Sequence, residues 1–148
     1  MAWYDALVGA RLQNGELNLC WKPELGVDGV NPLIFDENIA ADHIESKKAG
    51  DPVQIRVMRL IGLTLRSLPE TMGPALFPAL QTLSLSNNEL EYLPESFATF
   101  TKLKDLNIQQ NKLRFLPERI GMMSSLAKFQ VTNNCIEYLP STFGALGL

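Results

Sequence analysis

A 23-residue pattern runs three times without a gap through the C-terminal half of the chain, starting at Leu80, Leu103 and Leu126. With Φ for an apolar residue, each copy reads L-x-x-Φ-x-Φ-x-x-N-x-Φ, followed by x-x-L-P. A repeat this short is one supersecondary unit that cannot bury its own apolar side chains. Successive copies must therefore stack into a solenoid with one continuous core.

Each copy opens with apolar residues at strand spacing: Leu83 and Leu85, Leu106 and Ile108, Phe129 and Val131. Alternation of this kind predicts a short strand with those residues inward. A second apolar set follows the Asn, including Leu90 and Phe97, Leu113 and Ile120, Ile136 and Phe143. Pro94, Pro117 and Pro140 sit where a bend opens into an irregular or short helical return, because proline suits the start of a helix. Asn88, Asn111 and Asn134 are expected to point inward and bond the backbone of the adjacent coil, forming a ladder. Glu70, Glu95 and Glu118 follow the prolines and are read as carboxylates stabilised by the start of the return that each begins.

Aligning the Leu-Pro steps reveals a fourth copy upstream, with Ile55, Met58, Leu60, Leu65, Leu68 and Pro69 at matching positions. It is two residues longer, and Leu63 stands where the others have Asn. A leucine cannot join the ladder, so a ragged rung with more apolar packing is expected there. Before this copy the period is lost. Residues 2–13 place Trp3, Leu7, Val8 and Leu12 near helical spacing, with Asn14-Gly15 as a stop signal. Residues 16–21 alternate like a repeat strand. The resulting division is a cap helix and degenerate first strand over 1–25, an insertion with a short helix over 26–54, and four repeats at 55–79, 80–102, 103–125 and 126–148.

The spacing and the recurring Leu-Pro step resemble the Ras-group leucine-rich repeats, an intracellular class found in signalling scaffolds. Residues 5–19 also resemble the helix-then-strand opening of proteins of that class. The resemblance implies an α/β leucine-rich repeat solenoid, with a parallel β-sheet on its concave face, an N-terminal helical cap and a docking role for that face. Secreted relatives close their ends with Cys-rich caps. This chain has only Cys20 and Cys135, several strands apart in the repeat register, so reduced buried or half-buried thiols are expected. The first twelve residues hold no apolar run of signal-peptide length, and no later stretch is long enough to span a membrane. An intracellular, cytoplasmic protein without membrane insertion is expected. A net charge of −3 gives no general support to nucleic-acid binding.

The strand positions between the inward residues define the candidate binding face. Its central column is Arg59, Ser84, Asn107 and Gln130. Val57, Thr82, Asp105 and Lys128 flank it on one side, and Ile61, Ser86, Gln109 and Thr132 on the other. These are mostly hydroxyls and amides, suited to adaptable hydrogen bonding with a protein segment; the competing reading is a solvated face that touches nothing. Beside it, Arg66, Glu91, Arg114 and Glu137 occupy one position in successive coils with alternating sign. Next to them run Ser67, Tyr92, Phe115 and Tyr138. That aromatic column serves either as an interaction patch or, more commonly, as a shield for the coil edge.

Nothing in the sequence supports catalysis, a metal or a cofactor. His43 is the single histidine and has no acid three or four residues away. The two cysteines form no pairing motif, and no phosphate-binding loop or metal-ligand cluster is present. In the last copy Phe129, Val131, Ile136, Phe143 and Leu146 lack a following coil or polar cap, so a neighbour or a continuation of the chain is expected at that edge. The combined reading is a non-enzymatic module that binds a protein partner through the concave face. The alternatives are a structural subunit of a large assembly, held through that edge and the insertion, and the regulatory segment of a longer signalling enzyme.

Overall fold

The computed structural model describes residues 12–13, 16–20, 56–68, 70, 72–75 and 77–148, with side-chain surroundings from residue 56 onward. Among the described residues six strands form one sheet in chain order: β1 (Leu12–Gln13), β2 (Glu16–Cys20), β3 (Val57–Ile61), β4 (Thr82–Ser84), β5 (Asp105–Asn107) and β6 (Lys128–Gln130). Strands β2 to β6 are parallel, and β1 is antiparallel to β2. Glu16–Cys20 pairs with Val57–Ile61 over five positions, so the sheet already has a rung before the first 23-residue coil.

Register follows the repeat. Met58, Leu83, Leu106 and Phe129 pair across β3 to β6, and the first three are completely buried. Leu60, Leu85 and Ile108 form the next inward row, also completely buried. Phe97 and Phe100 close the core from the return side, packed edge to face.

The returns differ from the α/β expectation, because among the described residues they are 3₁₀ turns rather than α-helices. They lie at Glu95–Thr99, Ile120–Met122 and Ser141–Ala145. Parallel strands sit about 4.8 Å apart, whereas an α-helix with its side chains is about 10 Å across. A short return keeps the coils stacked. Pro94 and Pro140 sit at the cap position just before their 3₁₀ turns, and the carbonyls of Pro94, Pro117 and Pro140 accept the first bonds, from Phe97, Ile120 and Phe143.

The turn after each strand is held by side-chain amides. Asn111 donates to the carbonyls of Leu85 in the preceding coil (3.0 Å) and Ile108 in its own (3.1 Å), and its Oδ1 accepts the Leu90 N–H at 3.1 Å. Asn88 and Asn134 repeat the arrangement: Asn88 donates to Leu60 and Leu85, Asn134 to Ile108 and Val131. The residue before the ladder position is left-handed in the coils of β3 to β6, with φ of 68° at Gly62, 61° at Asn87, 55° at Gln110 and 58° at Asn133. At the odd rung, Leu63 is buried and its N–H is bonded by Asn88 Oδ1 at 2.9 Å. Thr64 there takes a second left-handed conformation, φ 55°, with its hydroxyl donating to the Leu63 carbonyl. The neighbouring coil thus supplies the polar partner that Leu63 lacks, at the cost of a strained threonine.

The glutamates after the prolines bond across coils. Glu95 Oε1 accepts the Glu118 N–H at 3.1 Å, and Glu118 Oε1 accepts the Ser141 N–H at 3.2 Å and the Ser141 hydroxyl at 2.6 Å. Each carboxylate therefore caps the start of the next return. Hydroxyls run beside this ladder: Ser96 donates to the Met72 carbonyl, Ser125 to that of Thr101 and Thr142 to that of Glu118.

The expected cap helix over 2–13 falls outside the described residues except at its end, where Leu12–Gln13 is a strand paired with Glu16 and Leu17. Asn-Gly, taken as a helix stop, is also the favoured dipeptide of two-residue hairpins. The 26–54 insertion and His43 lie outside the described residues.

Two outcomes check this packing. Asn111→Ala should cost about 1–3 kcal/mol in a denaturant melt, since it leaves buried backbone groups unpaired. Gly121→Ala should lower stability by about 1–3 kcal/mol through overpacking, because its Cβ would lie 1.9 Å from the Thr142 carbonyl oxygen. Gly144→Ala, with open space around it, should be neutral or stabilising.

Candidate functional site

The strand register places Arg59, Ser84, Asn107 and Gln130 directly opposite one another across β3 to β6, with Val57, Thr82, Asp105 and Lys128 two residues earlier. Ser86, Gln109 and Thr132 follow the strand ends, where their carbonyls accept N–H bonds from Gly62, Asn87 and Gln110. Burial alternates along the strands because successive side chains leave on opposite faces: the odd-numbered residues of β3 are half-buried, while Met58 and Leu60 are buried. The register thus brings the candidate residues of the strands into columns on the face opposite the core.

On that face the side chains are held to different degrees. Ser84 is buried, with its hydroxyl 3.3 Å from that of Ser86, so its place in a contact surface is smaller than its column position suggested. Asn107 Oδ1 accepts the Gln109 N–H at 3.0 Å, which orders the side chain. Lys128 and Asp105, paired across β5 and β6, approach to 3.6 Å. Thr82, Ser86, Gln109 and Gln130 are half-buried, and Lys128 and Thr132 are exposed. This face therefore carries hydroxyls and amides, with the Lys128–Asp105 pair beside them. Among the described residues no group of three or more His, Cys, Asp or Glu is placed to hold a metal ion, and no helix is long and apolar enough to cross a membrane.

Past the turn, the flank carries its own charges. Glu89 accepts a hydrogen bond from Lys112 Nζ at 3.1 Å, and Arg66 lies 3.6 Å from the same carboxylate; Arg114 reaches Glu137 at 3.6 Å. In the column of alternating sign, Arg114 meets its neighbour Glu137, whereas Arg66 reaches Glu89, two residues before Glu91. The Lys112 hydrogen bond and charge, with Arg66 behind them, hold the Glu89 carboxyl below its usual range. Cys135 is a free thiol and is exposed, not buried as expected, because its position in the coil lies on this outward flank.

Phe129, Val131, Ile136, Phe143 and Leu146 pack on the core and are partly buried, with Phe129 and Phe143 rings 6.2 Å apart. Leu139 is 53% exposed where Leu116 is 4% exposed, showing how much of each coil's burial the following coil supplies.

Residues 78–118 match the family described as leucine-rich repeats (2 copies). Two solved structures share the fold. A leucine-rich repeat protein of Leptospira interrogans is 25% identical, with a TM-score of 0.69 over 94% of this chain and 37% of its own. A chain in the crystal structure of the BIR3–SERK2 complex from Arabidopsis thaliana is 26% identical, with a TM-score of 0.54 over 62% of this chain and 50% of its own. The chain thus spans half or less of the length of these two proteins. No curated protein sequence matches it.

The flank charges generate a pH expectation. A carboxyl whose folded value is lowered stabilises the fold above its unfolded value, and that contribution is lost as pH falls through the folded value. In an NMR titration Glu89 should therefore titrate below the ordinary glutamate range, and Lys112→Met should return it toward that range.

Proposed function

We propose that this chain, a leucine-rich repeat protein by its repeats, family match and fold, is a non-enzymatic module that binds a protein partner through the concave face of its sheet. The observation that carries this reading is the registered polar patch from Arg59 to Gln130, half-buried and mounted on strands whose opposite face is core. A surface of ordered amides and hydroxyls lowers the entropy lost when a partner docks. One of the similar solved chains belongs to a complex of two named proteins, which supports a binding role. The recurring Leu-Pro step supports the Ras-group type of repeat. We place the protein inside the cell, where an exposed thiol such as Cys135 stays reduced.

The test uses a photo-crosslinking amino acid placed at position 107 or, as a control, at position 95 on the return side, in cells expressing the chain. A discrete adduct is expected from position 107 alone, and the double substitution Gln109→Glu with Gln130→Glu in the same chain should abolish it while the thermal melt stays within a few degrees of the parent. An adduct equally strong from both positions, or one indifferent to the double substitution, would remove the concave face from the account.

A further inference from the structure

The coil over 126–148 differs from the two before it in what it presents along the stack. Phe129, Val131, Ile136, Phe143 and Leu146 are only partly buried, whereas the residues one repeat earlier are all buried, and Leu139 is 53% exposed. Charge is thinned in the same coil. Residues 80–102 hold four charged side chains and residues 103–125 hold six, but 126–148 hold only Lys128 and Glu137. Both turn back to the preceding coil, Lys128 to Asp105 and Glu137 to Arg114, each at 3.6 Å. Natural sheets guard an open strand edge with charge or proline, and the centre of a protein interface is depleted of charge. The outer edge of β6 has the second character.

The backbone of that edge carries its own bonding groups. Coil 103–125 offers the next coil the Lys104 carbonyl and the Ile108 and Gln110 N–H groups, which meet Lys128, Gln130 and Thr132. Their counterparts are the Ala127 carbonyl and the Val131 and Asn133 N–H groups, and among the described residues none of these has a backbone partner. Lys128 and Gln130 bond toward β5, so the N–H and carbonyl of Phe129 between them point outward. A two-fold axis through Phe129 makes this set complementary to itself. In an antiparallel pair, Phe129 exchanges both bonds with its copy. The Ala127 carbonyl then meets the Val131 N–H of the other copy, and the reverse. Asn133 lies beyond the pairing and is exposed. Both Phe129 side chains stay on the core side, so the two apolar faces meet.

Two further features select a second copy in this arrangement over a coil stacked in line. Glu95 and Glu118 each bond the N–H at the start of the next return, but Ser141 holds the corresponding place and has no carboxylate to extend to a further one. A copy added head to tail would have to pair with β2, whose outer edge β1 already takes at Glu16 and Leu17. The geometry points to the outer edge of β6 as a docking surface for a second copy of this chain, with β6 antiparallel to its counterpart in one continuous sheet. A tail-to-tail contact of this kind is isologous and closes at two copies. It is independent of the concave-face reading, although it joins the two concave faces end to end.

Sedimentation of the full 148-residue chain should show a dimer that does not grow into longer assemblies as its concentration rises. Leu139→Lys, which puts a charge at an exposed position of the apolar edge, should weaken dimerisation at least about tenfold with an unchanged melt. Met122→Lys, at an exposed apolar residue on the return of the preceding coil, should leave it unaltered. Cross-linking reads the register and does not depend on those variants. Residue 128 is placed opposite residue 130 of the other copy, at a Cα separation of about 4.5 Å, within disulfide reach, whereas two copies of residue 130 lie too far apart. In a Cys20→Ser, Cys135→Ser background, a mixture of Lys128→Cys chains and Gln130→Cys chains should therefore oxidise to a mixed dimer, and neither chain alone should. A monomer at concentrations up to about 0.1 mM, open-ended growth, or no cross-link between 128 and 130 would overturn the proposal. So would a dimer indifferent to Leu139→Lys.

Discussion

The buried asparagine at the end of each strand is the constraint on which the rest of the stack depends. Where a strand ends, the chain must turn while its backbone is still inside the protein, and an unpaired buried peptide group costs about 1–3 kcal/mol. A primary amide is short and offers both donor and acceptor. Asn111 uses both: it donates to carbonyls in two coils and accepts an N–H from the coil before it. One side chain thereby closes its own turn and fixes the distance to its neighbour. The left-handed residue before it, the strand register and the outward direction of the alternate side chains follow from that fixed spacing.

On the far side of the coil the same spacing imposes a different solution. A return packed at strand separation has no room for α-helices, so the chain uses 3₁₀ turns. Their leading N–H groups find partners in the next coil toward the N-terminus, through Glu95 and Glu118. Stacked glutamates look repulsive as a bare column. Each carboxylate is offset toward the following backbone, where an N–H group answers its charge. Both edges of the coil are therefore sewn by side chains that reach one repeat along.

What could be read from the sequence divides along the same line. Inward leucines and the ladder asparagines repeat by residue type, so period alone located Leu83, Leu106 and Asn111. The sequence reading places Glu95 and Glu118 each at the start of its own return; that their carboxylates bond the N–H groups of the next coil is found only in the structure, although a carboxylate followed 23 residues later by another acid or a serine is a signal of it. Local chemistry is ambiguous at Asn14-Gly15, a dipeptide that suits both a helix stop and a hairpin turn; Leu12–Gln13, expected at the end of a helix, is a strand paired with Glu16 and Leu17. Outward positions gave the least. Whether Ser84 is open or covered depends on its neighbour Ser86, and whether Cys135 is exposed depends on which flank of the coil it occupies.

The longer first repeat shows which dimension of the coil is free to vary. Its two additional residues leave β3 and β4 in register, since Val57 still pairs with Thr82 and Arg59 with Ser84. The Leu80 N–H bonds the Phe77 carbonyl as Leu126 bonds Met123 two coils later, and Ser96 still reaches the Met72 carbonyl. Met72 stands to Ser96 as Glu118 stands to Thr142, so the surplus falls between Leu68 and Met72, at the entry to the return. Sheet spacing is held by peptide hydrogen bonds and the asparagine ladder, whereas a return need only present a few apolar residues to the core. The polar columns on the strands consequently stay in register from β3 to β6 whatever the length of the return between them.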